Sequence, residues 1–299
     1  MAKQGGGDLV NQLRDNLKKL GLSPNHIFQL VKDSIGEDLA GGEDITSVAT
    51  ISSSQVSTAD FTTRAAGVVS GLHVVAAVLE YCGVTHYEVL VDEGAKVAAG
   101  KVLITAQGNT QKILLAERTA LNFLSHLSGI STLTSKWVAE VQGTKCQIRD
   151  TRKTTPGLRT LEKFATRMGG ATNHRLSLSE AALIKDNHIV AAGSISAAFT
   201  STKKMFPGKP IEVEVDSIDQ LKEVIGLKPD VILLDNMSVQ LCQEAVALAS
   251  GAVKLEASGG LTIENAKAYA NTGVTYLAVG SLTHSAPALD IGLDFRKGK

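Results

Sequence analysis

The sequence contains few of the residues and patterns that mark several common classes of protein. Its 299 residues include three cysteines, Cys82, Cys146 and Cys242, which are widely spaced and form no CxxC pair. This excludes a disulfide framework and a cysteine zinc site, and reduced thiols are typical of a cytoplasmic protein. The first residues lack the apolar core of a secretory signal, so we expect none. The longest uncharged apolar stretch, residues 65–79, is shorter than the roughly 18 residues of a membrane span.

An excess of charge of one sign is also missing, because 30 Lys and Arg residues balance 30 Asp and Glu residues. A protein that coats nucleic acid would need a basic excess, so we expect no nucleic-acid partner. HExxH, Walker A and GxGxxG patterns are absent, which argues against a catalytic zinc site, a P-loop enzyme and a Rossmann dehydrogenase. With 43% hydrophobic residues and a length of roughly two average domains, the chain can bury a substantial core.

The second half of the chain alternates short apolar runs with helix-like stretches. Four runs start 20 to 23 residues apart, at Ile211, Val231, Val253 and Tyr276. The stretches between them each start near a Ser or Thr that can cap a helix, at residues 217–225, 238–249 and 262–271. Two earlier runs, at residues 147–149 and 183–184, extend the series to six. This repeat predicts parallel strands joined by right-handed crossovers, in a (β/α) barrel or alternatively in an open doubly wound sheet.

The first half follows a different pattern. Residues 1–7 include three consecutive glycines, and we expect a mobile tail there, followed by an amphipathic helix at residues 8–20. Residues 86–94 and 102–108 flank a short turn-rich connection, which predicts a mostly antiparallel element. A helical pattern returns over residues 116–143.

Each predicted strand of the second half ends in charged, polar or glycine residues. The ends read DTRK, KDN, EVD, LDN, EASGG and AVGS. In barrel enzymes the active site is built at the carboxyl ends of the strands. Exposed loops are polar in any protein, but six such ends in series favour a functional site.

The charge that sums to zero is separated along the chain. Residues 150–175 hold six Lys and Arg residues against two acids, a net charge of +4. Because a guanidinium binds carboxylate or phosphate through two hydrogen bonds, Arg152, Lys153 and Arg175 indicate a substrate with several negative charges. For Lys163 and Arg167, a place on a solvated basic helix face is a better explanation than substrate binding.

Residues 211–237 carry the opposite sign, with seven acids against two lysines and a net charge of −5. Glu212, Glu214 and Asp216 share one face of a strand, where an inward carboxylate is costly unless it binds a cation or hydroxyls. Glu214 and Asp235 stand at successive strand ends, where Mg²⁺ or ribose hydroxyls could be held.

Glycine turns follow the last two predicted strands, at Ser258-Gly259-Gly260 and Gly280-Ser281. Glycine lets backbone N–H groups approach a phosphate, and the late loops of barrels commonly bind phosphate. Tight turns that merely need glycine are the alternative. Three histidines lie beside the proposed site and could hydrogen-bond an anion: His174, His188 and His284.

Several long segments resemble the quinolinate phosphoribosyltransferase family, also called nicotinate-nucleotide pyrophosphorylases (carboxylating). The matching pieces stand in the family's order: AERTALNFLSHLSGI (116–130), DTRKTTPGLRTLEKFA (150–165), GGATNHRLSL (169–178), LIKDNHI (183–189), IEVEVDS (211–217), ILLDNM (232–237), LEASGGLTIEN (255–265) and VGSLTHSAPALD (279–290). GEDLAGGEDITS (36–47) is similar to the family's N-terminal motif.

The resemblance implies an α/β fold, with an N-terminal α/β sandwich domain and a C-terminal incomplete α/β barrel of roughly seven strands. We place the sandwich at residues 1–118, the catalytic barrel at 119–284, and at 285–299 a C-terminal segment that packs back on the N-terminal domain. The implied reaction converts quinolinate and 5-phosphoribosyl-1-pyrophosphate (PRPP), with Mg²⁺, to nicotinate mononucleotide, pyrophosphate and CO₂, a step of de novo NAD biosynthesis.

The resemblance also assigns roles to residues. Arg152, His174 and Arg175 match quinolinate-binding residues. Lys153 and Lys185 match residues that contact quinolinate and PRPP, and Glu214 and Asp235 match the ribose and metal carboxylates; we expect these four to form the catalytic set. The match to the 5′-phosphate cradle comprises Ser258, Gly259, Gly260, Gly280 and His284.

The family's subunits form homodimers in which an arginine enters the neighbouring subunit's site, and by motif this arginine is Arg118. Two other functions remain open. The protein could be a related enzyme that uses a monocarboxylate such as nicotinate without decarboxylation. Three arginines, Arg118, Arg152 and Arg175, argue against this, because together they can bind two carboxylates. A non-catalytic barrel that binds a phosphorylated ligand should have lost parts of the catalytic set, and all of them are present.

Overall fold

The computed structural model describes residues 6–296. Its helices are α1 (Gly6–Lys19), α2 (Pro24–Leu39), α3 (Ile45–Thr50), α4 (Leu72–Tyr81), α5 (Thr110–Glu140), α6 (Arg159–Met168), α7 (Asp186–Ala192), α8 (Ile195–Met205), α9 (Ile218–Leu227), α10 (Val239–Ala249), α11 (Ile263–Ala270) and α12 (Ser281–His284). Its strands are β1 (Val56–Thr63), β2 (Gly67–Val68), β3 (His86–Val89), β4 (Lys96–Val97), β5 (Val102–Asn109), β6 (Gln147–Arg149), β7 (Ala182–Ile184), β8 (Ile211–Val215), β9 (Val231–Asp235), β10 (Lys254–Ser258), β11 (Tyr276–Ala278) and β12 (Ile291–Phe295).

The described residues divide into two compact units. The first contains the chain up to Leu133, Thr160–Gly169 and the residues from Ala286 onward, and the second contains Thr134–Arg159 and Gly170–Ser285. Of the tail expected at residues 1–7, residues 1–5 lie outside the described range, and α1 begins at Gly6. The predicted boundaries at 118 and 284 stay predictions.

The first unit contains an antiparallel sheet with the strand order β12-β1-β5-β3. Phe61 of β1 lies opposite Ile104 of β5, and both side chains are fully buried. β3 pairs antiparallel with β5, so the antiparallel element predicted from residues 86–108 is confirmed. β12, from the end of the chain, pairs antiparallel with β1 and forms one edge of the sheet.

The first unit also contains helices. The helices predicted at residues 8–20 and 116–143 are confirmed as α1 and α5. Gly129 of α5 is required for a close approach, because a Cβ there would lie 2.2 Å from the carbonyl oxygen of Pro287. The Leu289 N–H donates to the carbonyl of Ser125, also on α5, at 2.9 Å. The segment before β12 therefore lies directly on α5.

One expectation for the basic stretch is wrong. Lys163, predicted on a solvated helix face, is 0% exposed. Residues 161–166 of α6 are all buried, because other parts of the first unit enclose this helix. For example, His126 of α5 lies 2.9 Å from the carboxylate of Glu162, and the half-buried Arg167 donates to the Leu20 carbonyl at 3.0 Å.

The second unit contains a parallel sheet of six strands in the order β6-β11-β10-β9-β8-β7. Strands that are consecutive from β7 to β11 are neighbours, and the first strand of the series, β6, pairs with the last, β11. A doubly wound sheet would reverse its strand order at a switch point, so this order identifies an incomplete α/β barrel. Thr172 adds a seventh position through a parallel bridge to Arg149, in agreement with the roughly seven strands expected.

The strand–helix repeat of this unit is confirmed together with its predicted caps. The side chains of Ser217, Ser238 and Thr262 each accept a hydrogen bond from a backbone N–H in the first turn of the following helix. These bonds satisfy backbone N–H groups of the first turn that have no acceptor within the helix. They fix the point at which the helix begins after each of β8, β9 and β10. Among the described residues, no helix combines the length and apolar character needed to cross a membrane.

Candidate functional site

A cavity of about 740 Å³ lies at the carboxyl ends of the parallel strands, wholly within the second unit. Twelve of the thirteen site residues expected from the sequence line it: Arg152, Lys153, His174, Arg175, Lys185, Glu214, Asp235, Ser258, Gly259, Gly260, Gly280 and His284. The thirteenth, Arg118, is exposed on α5 in the first unit. His188 is not part of the lining, and its Nδ1 accepts the Lys185 backbone N–H at 3.0 Å.

Two neighbouring guanidinium groups form the basic wall of the cavity. Burial and the positive charge of Arg152 lower the pKa of Arg175. Nη1 of Arg175 donates to the carbonyl of Ala181 at 2.8 Å. The Nε atoms of both arginines are buried and have no acceptor among residues 6–296. Because buried donors are normally paired, these two N–H groups are suited to an anionic ligand.

A cation and an anion face each other on the next two strand ends. Lys185 directly follows β7, and Nζ of Lys185 lies 2.5 Å from Oε2 of Glu214 on β8. The parallel register that pairs Ile184 with Val213 brings the two side chains together. Lys153 is held by its backbone, since its carbonyl accepts the hydroxyl of Thr283 at 2.7 Å.

Carboxylates at the ends of β8 and β9 form the acidic part of the lining. Glu214 and Asp235 both line the cavity, whereas Asp216 lies beyond the end of β8 and is exposed. Oδ2 of Asp235 accepts a hydrogen bond from the Asn236 side chain at 2.8 Å. Two carboxylates that open into a cavity with room for phosphate oxygens fit the hard oxygen donors that Mg²⁺ prefers.

Glycines form the part of the cavity lining that follows β10 and β11. Gly259 has a φ of +85°, and a Cβ there would lie 2.1 Å from the side-chain oxygen of Asn236. Gly280 precedes α12, and a Cβ there would approach Lys153 to 3.0 Å and His284 to 3.3 Å. The loop after β10 therefore needs glycine at position 259, whereas a side chain at position 280 would crowd Lys153 and His284, and both glycines line the cavity. This arrangement suits a phosphate.

A cluster of buried charged side chains adjoins the cavity, with Glu256 in its lining and Glu212 outside it, and sequence reasoning missed most of this cluster. Glu212 and Glu256 stand two residues before Glu214 and Ser258, so each faces the same way as the cavity residue that follows it. Arg149 Nη1 lies 2.6 Å from Oε2 of Glu256, and the Arg149 guanidinium stacks 4.0 Å from the Tyr276 ring centre.

Burial, and secondarily the charge of Glu212, raise the pKa of Glu256 to about 7, against the opposing effect of His174 and Arg149. The available sequence signal was the charged residue inside several of the apolar strands. It identified Glu212, whereas Arg149 and Glu256 were not singled out.

Three residues of this cluster have the side-chain types of a metal site. Ligating atoms of His174, Glu212 and Glu256 lie within 4.8 Å of one another. The hydrogen bonds argue against a metal there, because Nδ1 of His174 accepts the Arg175 backbone N–H at 2.8 Å. A neutral imidazole then carries its proton on Nε2, which lies 2.7 Å from Oε2 of Glu212 and donates to it. Nε2 has no lone pair left for a metal ion.

Comparisons with known proteins agree with this architecture over nearly the whole chain. The family described as "Quinolinate phosphoribosyl transferase, C-terminal domain" matches residues 130–294, and its N-terminal counterpart matches residues 44–128. The "Nicotinate-nucleotide pyrophosphorylase [carboxylating]" of Mycobacterium leprae is 49% identical over 270 residues, which cover 88% of this chain and 95% of that protein.

Solved structures give the same result. The nicotinate-nucleotide pyrophosphorylase from Francisella tularensis superposes with a TM-score of 0.87 at 38% identity, covering 91% of this chain and 96% of that one. The enzyme of the same name from Ehrlichia chaffeensis gives a TM-score of 0.86 at 36% identity, covering 90% and 98%. The chain therefore belongs to the quinolinate phosphoribosyltransferase family.

Proposed function

We propose that this protein converts quinolinate and PRPP to nicotinate mononucleotide, pyrophosphate and CO₂ in de novo NAD biosynthesis, as a nicotinate-nucleotide diphosphorylase (carboxylating), EC 2.4.2.19. The observation that carries the proposal is the pair of neighbouring guanidiniums, Arg152 and Arg175, whose buried Nε donors have no acceptor among the residues described. A dicarboxylate such as quinolinate would supply acceptors to both groups. Its two negative charges would offset the repulsion between two cations so close together.

Other residues that line the cavity would contact quinolinate, PRPP or both. Lys153 and Lys185 carry positive charge toward quinolinate and the pyrophosphate of PRPP, and the neutral ring of His174 supports the quinolinate side through its bond to the Arg175 backbone. The 5′-phosphate of PRPP would occupy the rim formed by Ser258, Gly259, Gly260, Gly280 and His284. Glu214 and Asp235 would accept from the ribose hydroxyls.

The same two carboxylates, Glu214 and Asp235, would hold Mg²⁺ directly, or through water or substrate oxygens. The bound ion supplies positive charge to the pyrophosphate group. The protein's own contribution is to place these carboxylates on adjacent strands, with Lys185 beside Glu214. This arrangement keeps the acidic pair from repelling an anionic substrate.

The reaction needs no protein nucleophile. The bond between ribose C1 and the pyrophosphate oxygen breaks, and its electron pair leaves with pyrophosphate. The pyridine nitrogen forms the new bond to C1 and becomes positively charged. The bond between ring C2 and its carboxylate then breaks as CO₂ leaves, and the electron pair remaining on C2, stabilised by the adjacent positive nitrogen, takes up a proton from water. The residues act by orienting two anions and by placing opposite charge around them.

We propose further that the protein works as a homodimer in which Arg118 enters the neighbouring subunit's site. Two separate observations, one on each unit, support association between subunits. Arg118 is exposed on α5, and large apolar side chains on the second unit are exposed, including Leu178 at 70% and Phe206 at 57%. Both belong to the lining of an apolar groove that also includes Arg175. Apolar patches of this kind commonly mark protein interfaces.

We place the protein in the cytoplasm because its three cysteines are buried and unpaired. Burial raises the pKa of each thiol, for example that of Cys82 to about 11, so the thiols are unreactive. No role in the reaction is assigned to them.

The test is to incubate the purified protein with quinolinate, PRPP and Mg²⁺, and to follow nicotinate mononucleotide by mass spectrometry and labelled CO₂ release. Nicotinate replaces quinolinate in a parallel reaction. We expect equal amounts of nucleotide and CO₂ from quinolinate and no product from nicotinate. Product from nicotinate alone would favour the monocarboxylate relative, and binding of both substrates without turnover would favour a non-catalytic barrel.

A further inference from the structure

We propose that Glu212, a residue with no assigned role, positions Arg175 for quinolinate by fixing the ring of His174. The inference rests on the proposed function, because it concerns how the quinolinate-binding arginine is held. Glu212 lies one layer deeper than the cavity lining and is 7% exposed, so it acts through another residue and not on the substrate.

His174 is held on three sides. Its backbone N–H donates to Oδ1 of Asp150 at 2.8 Å. Its Nδ1 accepts the backbone N–H of Arg175 at 2.8 Å, and its Nε2 lies 2.7 Å from Oε2 of Glu212. The ring thus links the buried carboxylate of Glu212 to the peptide that carries Arg175.

These bonds determine the tautomer. A backbone N–H can only donate, so Nδ1 of His174 must be unprotonated, and the ring proton is on Nε2. Both ring nitrogens are then used within the protein. The effect of His174 on quinolinate passes through the main chain of Arg175, whose guanidinium is anchored at its other end by the Ala181 carbonyl at 2.8 Å.

Glu212 is the partner of the ring, and Glu256 is not. Oε1 of Glu256 lies 3.6 Å from Nε2 of His174, too far for a hydrogen bond. Oε2 of Glu256 is 2.6 Å from the Arg149 guanidinium. A neutral ring needs an acceptor and not a negative charge. Glutamine at position 212 should therefore preserve the function, whereas alanine should remove it.

The kinetic test compares Glu212→Gln with Glu212→Ala in steady-state assays of both substrates. Losing the acceptor should raise KM for quinolinate by about tenfold or more in Glu212→Ala, while KM for PRPP stays within about twofold. Glu212→Gln should stay within about threefold of the wild type for both substrates. Equal defects in the two variants, or a parallel rise of both KM values, would overturn the proposal.

A second readout does not depend on turnover. Long-range ¹⁵N–¹H NMR of the substrate-free protein reports the protonated ring nitrogen of each histidine, with His174 assigned by its absence in His174→Asn. We expect Nε2–H for His174 in the wild type and in Glu212→Gln. Nδ1–H or a doubly protonated ring in the wild type would overturn the proposal. If the wild type shows Nε2–H but does not turn over quinolinate, the proposed function fails while the ring geometry stands.

Discussion

Lys185 and Glu214 form a charged pair at the carboxyl ends of two adjacent strands, with Nζ 2.5 Å from Oε2. Their side chains are 44% and 14% exposed, so the lysine reaches the cavity while the carboxylate lies mostly beneath it. Pairs with one exposed member contribute little to stability. The pair is therefore better explained by the charge that it presents to a ligand than by the fold.

Replacement of Lys185 should separate activity from stability. We expect Lys185→Ala to lower kcat/KM by about 100-fold or more, because a charge-assisted contact to both anionic substrates is lost. Its Tm should change by no more than a few degrees. Lys222→Ala is the matched control, since Lys222 pairs with Asp219 at 3.1 Å on an exposed helix face outside the cavity. Equal activity of the two variants would contradict the role of Lys185.

The two cavity arginines should be essential for quinolinate and dispensable for folding. We expect Arg152→Ala and Arg175→Ala to abolish measurable quinolinate binding in calorimetry, with circular dichroism unchanged. Arg175→Lys should weaken binding by about tenfold, because it retains the charge but loses the two-pronged geometry. Lys204→Ala, on the exposed face of α8, serves as the control and should bind normally. Full activity in either alanine variant would refute the assignment.

Glu256 should make the protein less stable as pH rises. Its pKa is raised from 4.5 to about 7, mainly by burial, so between these values the folded state binds more protons than the unfolded state. The stability that this proton contributes is complete below pH 4.5 and is lost as pH rises through about 7.

Glu256→Gln is uncharged at every pH and should lack this loss. We expect the Tm of Glu256→Gln minus that of the wild type to increase from about pH 5 to about pH 8 in thermal unfolding scans. A difference that is constant or falls over this range would show that Glu256 does not titrate as described.

Removal of divalent cations should stop the reaction without unfolding the protein. We expect excess EDTA to abolish product formation and added Mg²⁺ to restore it, with an unchanged Tm, because the proposed ligands are half-buried residues that line the cavity at the strand ends and are not part of the hydrophobic core. Asp235→Asn should raise the Mg²⁺ concentration needed for half-maximal rate by about tenfold. Full activity in EDTA would exclude a divalent-ion requirement.

Mixing inactive variants tests whether Arg118 acts across a dimer. Arg118→Ala and Arg152→Ala should each be inactive alone. In a refolded equimolar mixture about a quarter of the wild-type activity should return, since half of the dimers are mixed and each has one complete site. Arg118→Ala mixed with itself is the control. No recovery would mean that Arg118 acts within its own subunit or not at all.

Much of the second unit could be predicted because its signals are local. Ser217, Ser238 and Thr262 cap helices through bonds to residues three positions on, and a period of two places Glu214 on the cavity side of its strand. Strand ends and glycine turns also located the cavity lining. The sequence patterns of the first unit were weaker. The burial of Lys163 could not be predicted, because the net charge of a segment does not show which face of its helix packs against other elements.

The sequence by itself determined the repeat of strands and helices, the residues at the strand ends and the family. Only the tertiary structure decided which charges meet inside the barrel. Arg149 and Glu256 are 107 positions apart, and Glu212 lies 38 positions from His174. These contacts depend on the pairing of β6 with β11 and on the strand order that follows from it. No local pattern encodes that arrangement, because burial in a common interior, and not spacing along the chain, brings these groups into hydrogen-bond distance.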